Sequence, residues 1–202
     1  KRLNFISDTS RMIPNPIRCM KSKGLWSLKL LDKNGYRSNV AIILSDGKGR
    51  VLLAKRIGQA SWQFPQGGID SNEMPREALY RELNEEVGLN KSDVEVLQES
   101  RQWLKYRIPR NMQRKRTKPI CVGQKQKWFF LKLLADESRI KLDMTESPEF
   151  DEWQWVNYWY PLTAVIAFKQ KVYQQALQEF AKINSAMELS LIHISEPTRR
   201  TT

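Results

Sequence analysis

The stretch from Gly67 to Leu89 limits what this chain can fold into more than any other. It encodes a helix with both ends marked. From Pro75 to Val87 the apolar residues Ala78, Leu79, Leu83 and Val87 recur at helical spacing. Pro75 sits at an early-turn position, where its fixed φ and missing N–H do no harm, and Gly88 follows the last turn, where a left-handed residue closes a helix. On that helix Glu82, Glu85 and Glu86 fall at i, i+3 and i+4, so they converge on one face while the apolar residues cover another. Like charges so close repel, by roughly a few tenths of a kcal/mol per exposed pair and by more when partly buried. Two readings are open. Glutamate is a good helix former, so this can be a solvated acidic face. Alternatively a cation offsets the repulsion, in part Arg76 and Arg81 and otherwise Mg2+ or Mn2+, hard ions that suit oxygen ligands.

The rest of the composition narrows the classes. The 202 residues suffice for one substantial domain, and 41% hydrophobic with 28% charged residues is ordinary for a globular chain. No apolar run approaches the roughly 18 residues of a membrane span. Cys19 and Cys121 lie far apart with no CxxC spacing, which argues against a disulfide framework or thiolate zinc site and fits a reducing cytoplasm. The single histidine, His193, has no second histidine for a triad or metal site, so catalysis here is expected to run on carboxylates.

The net charge of +12 needs dissecting. Residues 1–29 show neither alternation nor helical periodicity and lack the h-region of a secretory signal, so they are expected to be a disordered or non-native leader. Leu189 to Arg199 resembles the translation of a sequencing adapter, which makes 189–202 an expected artefact tail that includes His193. The remaining domain, 30–188, holds 25 basic and 20 acidic side chains, a net charge of +5. Of its cations, ten lie between Arg101 and Lys127 without one Asp or Glu. Interleaved with Trp103 and Tyr106, that stretch reads either as a track for a nucleic-acid backbone or as a solvated loop.

Strand and helix signals alternate within the domain. Val40–Leu44 and Val51–Lys55, separated by the turn Asp46–Gly49, read as a hairpin. Further strands are expected at Val94–Gln98, Trp103–Ile108, Lys127–Leu134 and Trp153–Val156, with a second helix over Leu162–Ile183. Strands flanking two helices predict a layered α/β domain.

The carboxylate stretch also matches a known pattern at every defined position: Gly-x5-Glu-x7-Arg-Glu-U-x-Glu-Glu-x-Gly-U, with U a bulky aliphatic, from Gly67 through Glu73, Arg81 and Gly88 to Leu89. This is the Nudix box, so the chain resembles the Nudix hydrolases. The resemblance implies a mixed β-sheet sandwiched between α-helices, and metal-dependent hydrolysis of a phosphoanhydride bond. It implies Glu82, Glu85 and Glu86 as metal ligands, with Gly67 letting the backbone approach the metal, and Glu73 paired to Arg81 as a brace.

Blocks outside the box extend the likeness. Gly35-Tyr-Arg37, Trp62 to Gly68, Trp103 to Tyr106, Gly123 to Trp128, Pro148 to Asp151 and Tyr158 to Pro161 are similar to the bacterial RNA pyrophosphohydrolase branch. That branch removes pyrophosphate from the 5′-triphosphate end of RNA, leaving a monophosphate that promotes decay; relatives cleave dinucleoside polyphosphates. The resemblance adds Glu149 as a further ligand or water-activating carboxylate, and Arg37 with Phe168 as a pair that stacks on a base. Lys55, Arg56, Ser61, Gln66, Tyr106 and Lys169 complete the implied RNA and phosphate contacts. Ala41 and Lys55 depart from the branch, which usually has glycine and arginine there. A dinucleoside polyphosphate hydrolase and a catalytically silent RNA-binding module are the alternatives.

Overall fold

The computed structural model describes residues 31–113 and 119–195; the leader 1–29, residues 114–118 of the basic stretch and the end of the tail lie outside the described residues. Two strands form the axis of the sheet. β1 (Tyr36–Ser45) and β7 (Gly123–Leu133) run parallel in unbroken register from Tyr36↔Gly123 to Ser45↔Lys132. Because side chains alternate across a strand, the two strands sort their residues in step. Val40, Ile42, Leu44, Phe129 and Leu131 enter one core; Ala41, Ile43, Trp128 and Phe130 enter another on the opposite face. A sheet with two apolar faces needs cover on both.

One face is covered by α1 (Pro75–Val87), with the bounds its stop signals predict. Glu77 accepts the Met74 amide hydrogen at 2.8 Å to fix the start, and Gly88 (φ +72°) donates its N–H to the Asn84 carbonyl at the end. Ala78, Leu79, Leu83 and Val87 are fully buried beneath it, the larger side chains contributing roughly 1.5–3 kcal/mol each. The other face is covered by α3 (Gln170–Ser195), through Val172, Tyr173, Ala176, Leu177 and Phe180. Tyr173 also accepts the Phe64 amide hydrogen with its hydroxyl at 3.0 Å, pinning α3 to the loop ahead of α1. This is the expected α/β/α sandwich. Among the described residues no helix is long and apolar enough to cross a membrane.

Three elements depart from the sequence expectation. The hairpin of β1 and β2 (Arg50–Arg56) pairs at Ser45↔Val51, beside its turn, and then its arms diverge. The short strands β3 (Trp62–Gln63) and β4 (Gln66–Gly68), invisible at two and three residues, fill in: β3 pairs β2 and β4 pairs β1. On its far side β2 pairs β8 (Phe150–Asn157). The second helix starts at Gln170, not Leu162. Before it come a single turn, α2 (Pro161–Ala164), extended backbone at Val165 and Ile166, and a 3-10 turn over Ala167–Lys169. Two adjacent β-branched residues favour that extended break, which helical register in the sequence masked.

β5 (Val94–Glu99) and β6 (Leu104–Arg107) both lie against β7, one beyond the other. At their far end β6 passes so near β7 that a methyl group on Gly123 would stand 2.1 Å from the Tyr106 carbonyl oxygen. Backbone cannot yield as a side chain can. Gly123→Ala is therefore expected to destabilise the fold by about 1–3 kcal/mol, measured as a lower urea midpoint; an unchanged midpoint would contradict this packing.

Candidate active site

The polar start of the two central strands opens the site. On the face where Ala41, Ile43, Trp128 and Phe130 support α3, the preceding residues of the same parity are Arg37 and Asn39 on β1 and Gln124 and Gln126 on β7, paired Arg37↔Gln124 and Asn39↔Gln126. Apolar packing thus gives way to a polar floor. Above it lies an open cleft of about 260 Å³. The 3-10 turn after the α2 break brings Phe168 and Lys169 to its rim, facing Tyr106 of β6.

The acidic end is built by α1 and β4. Glu82 and Glu86 are buried, whereas Glu85 is half-exposed; all three line the cleft with Glu149, from the start of the β8 segment. Gly67 admits the Glu82 carboxylate against the backbone, for a Cβ there would fall 1.8–2.0 Å from its atoms. Arg81 organises the group. It donates to both carboxylate oxygens of Glu73 at 2.8 Å, to the Gly68 carbonyl at 2.8 Å and to Glu82 at 2.7 Å. Those bonds raise the Arg81 pKa. Burial works against charge on Glu73, yet Arg81 and the Asp70 amide hold its carboxyl below the usual range.

The buried pair behaves oppositely. Burial pushes Glu82 up to about 7, with Glu85 and Glu149 adding to the rise and Arg81 opposing it. Glu86 is raised well above the usual range by burial and then by the charges of Glu82 and Glu149, although the Gln66 amide donates to it at 2.7 Å and Arg56 faces it. Arg56 also meets Glu149 at 3.6 Å. Positive charge from two arginines thus leaves the carboxylates under-compensated.

Such a set fits a hard divalent cation. The donors are carboxylate oxygens, and the glycine leaves the backbone within reach. Among the described residues, no three acidic side chains are grouped tightly enough to hold a metal alone. Gly67→Ala would displace Glu82 rather than the backbone, so it is expected to cut activity by about 10²-fold with little loss of stability. Full activity in that variant would contradict a fixed role for Glu82.

Of the residues singled out from sequence, the cleft brings together Arg37, Arg56, Gln66, Gly67, Glu82, Glu85, Glu86, Tyr106, Glu149, Phe168 and Lys169. Lys169 is buried there, donating to Gln63 at 3.1 Å with its ammonium 5.6 Å from the Tyr106 ring. Lys55 and Ser61 lie outside the lining. Lys55 pairs with Glu152 at 2.9 Å, and the Ser61 carbonyl accepts the Arg56 amide hydrogen. Glu73 and Gly88 shape the loop and helix end.

Asn39, Gln124 and Gln126 were missed. Gln126 donates to Asn39 at 2.8 Å and to Gln66 at 3.1 Å, while Gln124 accepts from the Tyr106 hydroxyl at 2.6 Å. The available signal was parity: two glutamines on the same strand face as Trp128 and Phe130, where apolar residues would otherwise continue. The Gln126 Oε1 and Arg37 Nε are buried without a hydrogen-bond partner, as expected of a site prepared for a polar ligand.

Comparison with known proteins places this geometry. Residues 35–179 match the NUDIX domain model. Curated proteins named RNA pyrophosphohydrolase from Pseudomonas paraeruginosa and Pseudomonas putida are each 56% identical over 152 residues, which is 75% of this chain and 96% of theirs. Among solved structures, the dihydroneopterin triphosphate pyrophosphohydrolase of E. coli matches with a TM-score of 0.57 at 20% identity, covering 71% of this chain and 93% of its own. An Ap4A hydrolase binary complex from C. elegans matches at 0.53 and 19%, covering 74% and 98%. These two speak to the fold. With most of its length matched by the domain and its relatives covered almost end to end, the chain belongs to the Nudix hydrolases, in their RNA pyrophosphohydrolase branch.

Proposed function

We propose that this protein is a metal-dependent RNA pyrophosphohydrolase. It removes pyrophosphate from the 5′-triphosphate end of RNA, leaves a 5′-monophosphate, and so promotes decay of the message. The observation that carries this reading is the composition of one cleft. Four carboxylates stand at one end, and planar or cationic groups, Arg37, Tyr106, Phe168 and Lys169, line the rest. The names of the 56%-identical relatives support the same substrate.

Glu82, Glu85, Glu86 and Glu149, with the Gly67 carbonyl, hold divalent metal, Mg2+ or alternatively Mn2+. When bound, that metal neutralises the polyphosphate, orients the attacking water and stabilises the leaving pyrophosphate. One of the four carboxylates takes the proton of the water. Arg56 and Lys169 bring positive charge to the phosphates. Arg37 and Phe168 offer planar surfaces to a base, which suits sequence-tolerant binding of a single strand. Arg81 and Glu73 keep the carboxylates in place. The catalytic unit is residues 30–188, and its RNA substrate fits a cytoplasmic setting.

The test offers the full chain 5′-triphosphorylated RNA and, separately, a dinucleoside polyphosphate, each with Mg2+. Preferential turnover of the RNA is the expected result. Preferential turnover of the dinucleotide would reassign the substrate, and binding of RNA without cleavage would indicate a silent module.

A further inference from the structure

β6 separates two surfaces. Tyr106 points into the cleft, and by strand alternation its neighbours Lys105 and Arg107 project from the opposite face, where both are exposed. That face belongs to the α1 side of the sheet, but the apolar core beneath α1 begins only at Val40 and Phe129. Among the described residues, no helix covers the residues that precede it on this face, Tyr36 of β1 and Lys125 of β7.

The arrangement there is costly without an anion. Lys105 lies directly across the ladder from Lys125, and like charges in that relation repel. Each ammonium rests near an aromatic ring: Lys105 is 5.6 Å from the centre of Tyr36, and Lys125 is 5.6 Å from that of Trp103. Only Lys125 has an acidic partner among the described residues, Asp32 at 3.5 Å. Lys105 and Arg107 have none there. Trp103 remains exposed. Exposed cations alternating with aromatic rings form the surface that tracks a single-stranded backbone and stacks its bases.

We propose that this face, with Tyr36, Trp103, Lys105, Arg107 and Lys125, binds the RNA chain downstream of the nucleotides held in the cleft. The proposal rests on the RNA reading of the cleft. Among the described residues β6 pairs with β7 alone, at the edge of the sheet, so a chain leaving the Tyr106 side crosses one strand to reach Lys105 and Arg107. Single strands are favoured over duplex because the rings need unpaired bases.

The test uses the full-length protein and the double variant Lys105→Glu/Arg107→Glu, with Trp103→Ala as a second variant that leaves charge unaltered. Binding of a 5′-hydroxyl single-stranded 20-mer, read by fluorescence anisotropy, does not depend on hydrolysis. The charge variant is expected to bind it at least about tenfold more weakly, with a salt dependence shallower by about 1–2 in log–log slope. Trp103→Ala is expected to weaken it as well, without changing that slope. Hydrolysis of a triphosphorylated trinucleotide should be unchanged in both, while KM for a triphosphorylated 20-mer rises. Equal binding of the 20-mer by wild type and variants, equal loss for trinucleotide and 20-mer, or tighter binding of duplex than of single strand would each overturn the proposal. If neither triphosphorylated RNA is cleaved by the wild type, the reading of the cleft fails, and the anisotropy result still decides the surface.

Discussion

Glu85→Gln is expected to reduce turnover of triphosphorylated RNA by about 10²–10³-fold, with the melting temperature nearly unchanged. The contrast follows from where this glutamate stands. Its side chain is 45% exposed, and its ion pair to Arg81, at 3.7 Å, is long and solvent-screened. Little of the fold depends on it. In the proposed function, however, it is one of the negative charges that would hold metal, and glutamine keeps its shape while removing that charge. The measurement is kcat across a Mg2+ titration together with thermal unfolding. Lost activity with a shifted Mg2+ requirement fits a ligand, whereas unaltered kcat would remove Glu85 from the chemistry. Glu86→Gln is a less clean probe, since Glu86 is buried and also receives the Gln66 amide.

Withdrawing divalent metal is expected to make stability fall as pH rises from about 4.5 through about 7, the range over which Glu82 passes from its ordinary to its folded pKa. The sign follows from proton counting. Both Glu82 and Glu86 have folded pKa values above their unfolded ones, so in this range the native state binds more protons than the unfolded state, and raising pH favours unfolding. Glu86 adds to the fall, burial being the main cause for both. Glu73 acts in the other direction: its lowered pKa gives stability that is present above about 4.5 and lost as pH drops below it. The metal-free protein should therefore be most stable near the boundary of the two windows. Saturating Mg2+ favours the charged carboxylates and should flatten this fall. Thermal unfolding in chelator and in Mg2+ checks this, and a metal-free melting temperature that climbs steadily from pH 5 to 8 would contradict it.

How far the sequence carries can be read from particular residues. α1 was legible to both ends, because Pro75, Gly88 and four apolar residues at helical spacing leave little choice. Glu82, Glu85 and Glu86 came with it, since i, i+3, i+4 geometry is local, whereas Glu149 follows only from the family resemblance. Lys55 and Arg56 show the limit. Adjacent on β2, they project to opposite faces, and only Arg56 reaches the cleft while Lys55 meets Glu152. Which face is inward depends on the whole sheet. β3 and β4 were too short to register as strands and exist because the diverging hairpin leaves backbone to pair. The break before α3 was concealed because Phe168 falls in helical register with Val172, yet it is this break that turns Phe168 toward Tyr106. Asn39 and Gln126 meet only through long-range parallel pairing.

In the proposed function the four-carboxylate cleft hydrolyses the 5′-triphosphate of RNA. Its most direct test follows a single turnover of 5′-triphosphorylated RNA by the full chain and by Glu85→Gln, reading the RNA 5′ end and the released phosphate species together. A 5′-monophosphate end is expected to appear one-for-one with pyrophosphate, only in divalent metal, and to be nearly abolished in the variant. An unchanged triphosphate end with the wild-type protein in Mg2+, or equal release by the variant, would contradict it.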